Sequence, residues 1–272
     1  VLLLFFVLLF VTSCFFLFFF FFLFSKRNEL STNEAHPMST STSKRITHVI
    51  FDVDGTLLDT ESVYTAITNQ MLGQFGLSLG WDVKQKLMVR KPLDACRVLV
   101  ESYGIADKMP AEKVLESRLE MEKEMWPKAK PMPGARSMVE GLASIGIPMA
   151  IATGSHRDSL ELKFSGHRSW YSHFNAIVTA SDSIRGKPAP DIFLKAAELL
   201  GKTTGLDTVL VVEDAVIGIQ AGLAAGMRVL AVPDPCLISG NESLFSQADQ
   251  TLKSLEEFDP TFWGLPPFPK AS

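Results

Sequence analysis

The sequence is short of the features that mark several large protein classes. It holds three cysteines in 272 residues, Cys14, Cys96 and Cys236. None of them makes a C-x-x-C spacing, so neither a zinc site nor a dithiol redox centre is expected. Isolated thiols of this kind fit small buried hydrophobes in a reducing compartment. Runs of basic residues and aromatic-basic stripes are also missing, and 26 Lys+Arg against 30 Asp+Glu leave a formal net charge of -4. That balance gives no general attraction to nucleic acid or anionic lipid, and a nucleic-acid partner is not expected. No internal repeat is present.

What is plentiful is apolar material. A hydrophobic content of 47% beside 21% charge is enough for a sizeable core, and the length suits one α/β domain or a core with a smaller insertion. Residues 1–24 are almost purely apolar, broken only by Thr12, Ser13 and Cys14, and are followed by Lys26 and Arg27. Such a run is long enough to cross a bilayer, for which about 20 apolar residues suffice. The basic residues after it would leave the rest of the chain on the cytoplasmic side. A targeting peptide fits less well, because no basic region precedes the run and no A-x-A site follows it. A third reading takes the Phe/Leu repetition as translation of a T-rich stretch, with Met38 opening the protein proper. Residues 25–44 are polar and Ser/Thr-rich, as in a linker. Membrane association is expected only if the leader is genuine; otherwise the expectation is a cytoplasmic monomer, with an organellar location as the alternative.

From Arg45 onward strand-like and helix-like patterns alternate. ITHVIFDV (residues 46–53) is a short apolar run ending in carboxylates, and residues 147–152, 176–179, 209–212 and 228–232 repeat the type. Between them, Pro133-Gly134 precedes ARSMVEGLASIG, and Pro190-Asp191 precedes IFLKAAELLG with Gly201 as a stop. This alternation predicts an α/β fold with a doubly wound, Rossmann-like parallel sheet. Residues 61–130 break it: helical patterns at 81–89, 93–103 and 111–126 and no convincing strand. The expected organisation is therefore a core domain of residues 45–60 and 131–272, with an all-helical cap of residues 61–130 covering the carboxyl ends of the strands.

Four groups of chemically active residues fall just after predicted strands. Asp52-Val53-Asp54-Gly55-Thr56 follows the first. A carboxylate can attack phosphorus, splitting a hard hydrolysis into two easier steps, and a second carboxyl group nearby can protonate the leaving oxygen and then activate water. A calcium loop would need its glycine after a third acidic residue, so that spacing fails. In Thr153-Gly154-Ser155, a hydroxyl and free backbone N–H groups at a strand-to-helix turn can hold phosphate oxygens, or merely cap a helix. Lys187, between Gly186 and Pro188, can offset charge on a nucleophile and a phosphoryl group. Glu213-Asp214 places two carboxylates at the end of a buried strand, where something positive must neutralise them; Mg²⁺ suits such hard oxygen ligands. Gly218, Gly222 and Gly226 follow, expected on a helix packed closely on the sheet.

With these motifs the chain resembles the haloacid dehalogenase superfamily over residues 45–268, with a helical cap inserted after the first motif. The resemblance implies Asp52 as nucleophile, Asp54 as general acid/base, Thr153 in phosphate binding and Lys187 as the stabilising lysine. It further implies Mg²⁺ held by Asp52, Asp214 and the backbone carbonyl of Asp54, with Glu213 assisting directly or through water. Asp54 favours phosphate chemistry over dehalogenation. Leu162-Lys163, His167-Arg168, residues 170–174, Val232-Pro233-Asp234, the tail FDPTFWGLPPF and Val89-Arg90-Lys91 with Asp94-Ala95 look like the branch holding glycerol-3-phosphate and pseudouridine-5'-phosphate phosphatases. Two departures stand out: Thr56 where that branch usually has Leu, and a shorter, less acidic stretch from Ala180 to Gly186; neither belongs to the implied catalytic set. The substrate is then a small phosphorylated metabolite, with Arg90 and Lys91 as candidates for reading it. A sugar phosphomutase shares all four motifs, and a membrane-tethered binding protein without chemistry is the non-enzymatic alternative.

Overall fold

The computed structural model describes residues 45–269 except Val89, Ser183, Ile184 and Ser239. The expectations for the leader and linker, residues 1–44, lie outside the described residues. Five strands form where apolar runs meet turn signals: β1 His48–Phe51, β2 Met149–Ala152, β3 Ala176–Val178, β4 Val209–Glu213 and β5 Arg228–Ala231. β1 is shorter at both ends than the apolar run predicts, and Glu213 is the last residue of β4 instead of the first beyond it. A sixth strand, β6 Gln250–Thr251, is too short to carry any periodicity in the sequence.

All strand pairs are parallel, in the order β3-β2-β1-β4-β5-β6. The chain steps outward from β1 to β3, then returns to the other side of β1 for β4. Strand order thus reverses between β1 and β4, the place where an open α/β sheet leaves a crevice at its carboxyl ends. The doubly wound sheet expected from the sequence is the fold observed.

Between β1 and β2 the described chain is helical: α1 Thr60–Gly73, α2 Trp81–Leu87, α3 Pro92–Ser102 and α4 Ala111–Met125. Asp59 caps α1 by accepting from the Ser62 N–H at 3.0 Å, and Pro92 starts α3 where a missing N–H costs nothing. These helices share a core of their own, including Val63, Ile67, Met71, Val83, Leu99, Val114 and Trp126. The outgoing and returning chains run side by side, the Asp59 N–H donating to Lys130 O at 2.8 Å and the Met132 N–H to Leu57 O at 2.9 Å.

The remaining long helices cover the sheet: α5 Ala135–Ser144, α6 Arg157–Lys163, α7 Asp191–Leu199 and α8 Val216–Ala224. Strand residues alternate between two cores. Val49, Phe51, Leu210 and Val212 pack with α5 and α6, whereas Ile50, Val209 and Val211 pack with α7 and α8. A sheet buried on both faces reads as continuous apolar runs, which is why these strands stand out in the sequence. Of the three glycines expected on a close-packed helix, Gly222 packs on the apolar strand residues, where an added Cβ would lie 2.9 Å from Val229 Cγ2. Gly218 faces Glu213 instead, and Gly226 follows α8 with φ 72°. Among the described residues, no helix is long and apolar enough to cross a membrane.

Candidate active site

Asp52 is the first residue beyond β1, buried, with its N–H still donating to Val212 O at 3.0 Å. The ladder to β4 therefore fixes its backbone. Its Oδ1 accepts from Lys187 Nζ at 2.5 Å, and the same ammonium donates to Glu213 Oε1 at 2.5 Å. Lys187 also lies 5.0 Å from the centroid of the Phe193 ring. Glu213 Oε2 accepts the N–H groups of Asp214 and Ala215, each at 3.0 Å, so every oxygen of this buried carboxylate is satisfied.

One oxygen from each of Asp52, Glu213 and Asp214 lies within 4.8 Å of the others. Three carboxylates around one ammonium leave negative charge that burial makes costly. Burial, opposed in part by Lys187, pushes Asp52 up to about 7. Burial and the neighbouring Glu213 and Asp52 push Asp214 well above the usual carboxylate range. Burial pulls Lys187 down, yet Asp52 and Glu213 hold it above its ordinary value. An all-oxygen, acidic, partly buried donor set of this kind fits a hard divalent cation such as Mg²⁺. Asp52 and Asp214 carry the exposed share of the set, whereas Glu213 is occupied by Lys187 and backbone.

Glycines make this crowding feasible. Gly55 has φ 85°, and a Cβ there would stand 2.2 Å from Asp214 Oδ2; a Cβ at Gly218 would stand 1.7 Å from Glu213 Oε1. Thr56, which the sequence reading left outside the catalytic set, belongs to its surroundings. It is buried, and its hydroxyl donates to Asp214 Oδ1 at 3.1 Å.

Asp54 has different company. Its Oδ2 accepts from Ser155 Oγ at 2.8 Å and Thr153 Oγ1 at 3.4 Å, and its Oδ1 accepts from Lys163 Nζ at 2.5 Å. Burial pushes its carboxyl up, but the Lys163 ammonium and the bonds from Lys163 and Ser155 leave it below its ordinary value. Two aspartates two residues apart are thus driven in opposite directions. The sequence reading placed Ser155 in the phosphate turn and Lys163 among the residues of the branch resemblance, and tied neither to Asp54. Lys163 ends a helix with no local marker of function, and only folding brings it to Asp54.

A cavity of about 1060 Å³ opens over these groups, lined by Asp52, Asp54, Gly154, Lys187, Glu213 and Asp214 among others. Thr153 is fully buried and does not line it; its hydroxyl accepts the Ser155 N–H at 3.0 Å. Glu61, Tyr64, Gln85 and Met88 of the helical segment face the cavity from the far side. Arg90 is exposed, donates to Lys86 O and lines a smaller adjoining cavity of about 310 Å³; Lys91 is exposed and lines neither.

The family profile described as haloacid dehalogenase-like hydrolase matches residues 46–226. The chain is 43% identical over 227 residues to (DL)-glycerol-3-phosphatase 2 of Arabidopsis thaliana, covering 82% of this chain and 93% of that protein. It is 36% identical over 234 residues to a protein named "Probable pseudouridine-5'-phosphatase" of Drosophila melanogaster, covering 85% and 99%. The crystal structure of a HAD family hydrolase from Deinococcus radiodurans R1 with bound phosphate and sodium superposes with a TM-score of 0.69 at 27% identity, covering 82% and 99%. Sheet order, clustered carboxylates and these matches agree: the chain belongs to the haloacid dehalogenase-like hydrolase family and is a phosphoric monoester hydrolase within it.

Proposed function

We propose that the protein is a Mg²⁺-dependent phosphatase that hydrolyses a small phosphomonoester through an aspartyl-phosphate on Asp52. The observation that carries the reading is the Asp52 carboxylate, at the tip of β1, held by Lys187 at 2.5 Å beside Asp214 and Glu213. An Asp52 oxygen attacks phosphorus as the ester P–O bond breaks. Asp54, as the acid, gives its proton to the departing alkoxide. In the second half, the Asp54 carboxylate takes a proton from the water that attacks the acyl phosphate, releasing phosphate and restoring Asp52. The base half suits Asp54 as it stands, ionised against Lys163; a phosphate dianion entering beside it favours proton uptake for the acid half. Mg²⁺, held by Asp52, Asp214 and the backbone carbonyl of Asp54 with Glu213 behind them, would supply positive charge to the phosphoryl oxygens. Lys187 adds a fixed positive charge, while Gly154, with Thr153 buried behind it, forms the turn against which phosphate rests.

The helical segment, residues 61–130, acts in this reading as a cap over a core of residues 45–60 and 131–272. Its Glu61, Tyr64 and Gln85 reach the cavity, and Arg90 reaches the space beside it. The candidate substrates are glycerol 3-phosphate, pseudouridine 5'-phosphate and related nucleotide or sugar phosphates, after the activities named for the relatives.

Phosphate release from a phosphomonoester panel tests the reading and separates hydrolysis from transfer to a second hydroxyl. Asp52→Asn is expected to reduce turnover to background, whereas loss of one electrostatic contact costs only about 10²–10³ in kcat. Persistent turnover by that variant would refute the nucleophile.

A further inference from the structure

The ammonium of Lys163 is fully buried, yet it touches neither the cavity nor the carboxylate cluster around Lys187. A buried charge of this kind is tolerated only when its partners are well placed. Here they are Asp54 Oδ1 at 2.5 Å and Ser155 Oγ at 2.8 Å, with the Trp126 ring centroid 4.6 Å from Nζ. Ser155 in turn donates to the other Asp54 oxygen, so lysine and serine grip the carboxylate from one side. Trp126 is itself fully buried at the end of the helical segment, and Tyr64 of α1 packs edge-on against it with centroids 4.8 Å apart. The chain just after it is seated on the turn beyond α6, where His167 Nε2 meets Ala129 O at 2.7 Å.

We propose that Lys163 is a positioning residue for the acid–base step, fixing the Asp54 carboxylate under a Trp126 roof supplied by the helical segment. The proposal rests on the reading of Asp54 as the acid–base group. Lys163 acts only through Asp54: it lines no part of the cavity and has no route to the phosphoryl group. Tyr64, Trp126, Lys163 and Asp54 form one continuous line of contacts, so the seat of the helical segment is felt at the carboxylate.

The test exploits leaving groups. An alkoxide needs a proton to depart, whereas a nitrophenolate leaves without one. Lys163→Met should lower kcat/KM for the fastest alkyl ester of the panel by about 10²-fold, the lower end of what general acid–base catalysis contributes. For p-nitrophenyl phosphate, kcat/KM should stay at the wild-type value. Should Lys163→Met fold poorly because Asp54 is left unpaired, Asp54→Asn with Lys163→Met removes both charges. That double variant is expected to match Asp54→Asn alone on p-nitrophenyl phosphate. Equal losses on the two esters, or a further loss in the Asp54→Asn background, would overturn the proposal. Failure of the parent reading is seen separately and earlier, as wild-type protein that hydrolyses neither ester or as turnover surviving Asp52→Asn.

Discussion

A methyl group at position 218 would overlap Glu213 Oε1, which is already committed to Lys187 while Oε2 serves two backbone N–H groups. Gly218→Ala must therefore displace the carboxylate that holds Lys187. The expected outcome is a folded protein destabilised by about 1–3 kcal/mol, as overpacking usually costs, with a fall in kcat measured on the best panel substrate. Thr56 offers a gentler probe. Thr56→Val keeps the shape and removes the hydroxyl that steadies Asp214. Mg²⁺ titration of activity should show apparent affinity weakened about 10–100-fold, the usual effect of losing a group that orients a ligand. At this scale the sequence was only partly readable. Asp52, Asp54, Lys187, Glu213 and Asp214 are visible because each stands at the end of an apolar run or in a fixed turn. Lys163 and Thr56 act through partners 109 and 158 positions away, and nothing local announces such pairs.

Among the elements, the late turn Pro260–Trp263 ties several strands together. Trp263 is fully buried, its indole N–H donates to Gln250 Oε1 at 3.1 Å, and the Arg228 guanidinium stacks 4.4 Å from a ring centroid. Its carbonyl accepts the Ile46 N–H at 3.0 Å, so it pins the approach to β1 as well. Trp263→Ala is expected to cost about 3–5 kcal/mol in urea unfolding, the range for emptying a core tryptophan site. Strands β1, β2, β4 and β5 were legible because helices bury both their faces. Two-residue β6 was not, since its pairing with β5 is decided by the tail that packs behind it. The helical block was legible as helix through the patterns at 81–89, 93–103 and 111–126 and the lack of a strand between them. Where Arg90 and Lys91 would point depends on how α2 and α3 pack, which spacing does not encode.

For the molecule as a whole, the proposed Mg²⁺ site in the carboxylate cluster would couple metal binding to stability. With Asp52 raised to about 7 and Asp214 raised well above its usual range, protons and a cation compete for the same oxygens. Metal binding should strengthen as pH rises through about 7 and weaken as protons return below it. A cation that binds only the folded form raises stability by about 2.7 kcal/mol at a hundred times its Kd. Calorimetry near neutral pH should accordingly show Tm rising with Mg²⁺ and returning with EDTA. Asp214→Asn should abolish most of that rise.

The neck formed by Leu57–Asp59 and Lys130–Met132 has an architectural consequence. For the sheet, everything between those two crossings is a single excursion whose ends lie one hydrogen bond apart. Closing so narrow a gap asks little of whatever fills it, since loop entropy grows only slowly with length. On the proposed reading of residues 61–130 as a cap, that segment can be exchanged while the strands and their acidic tips stay untouched, so chemistry and molecular taste can evolve on separate parts of one polypeptide.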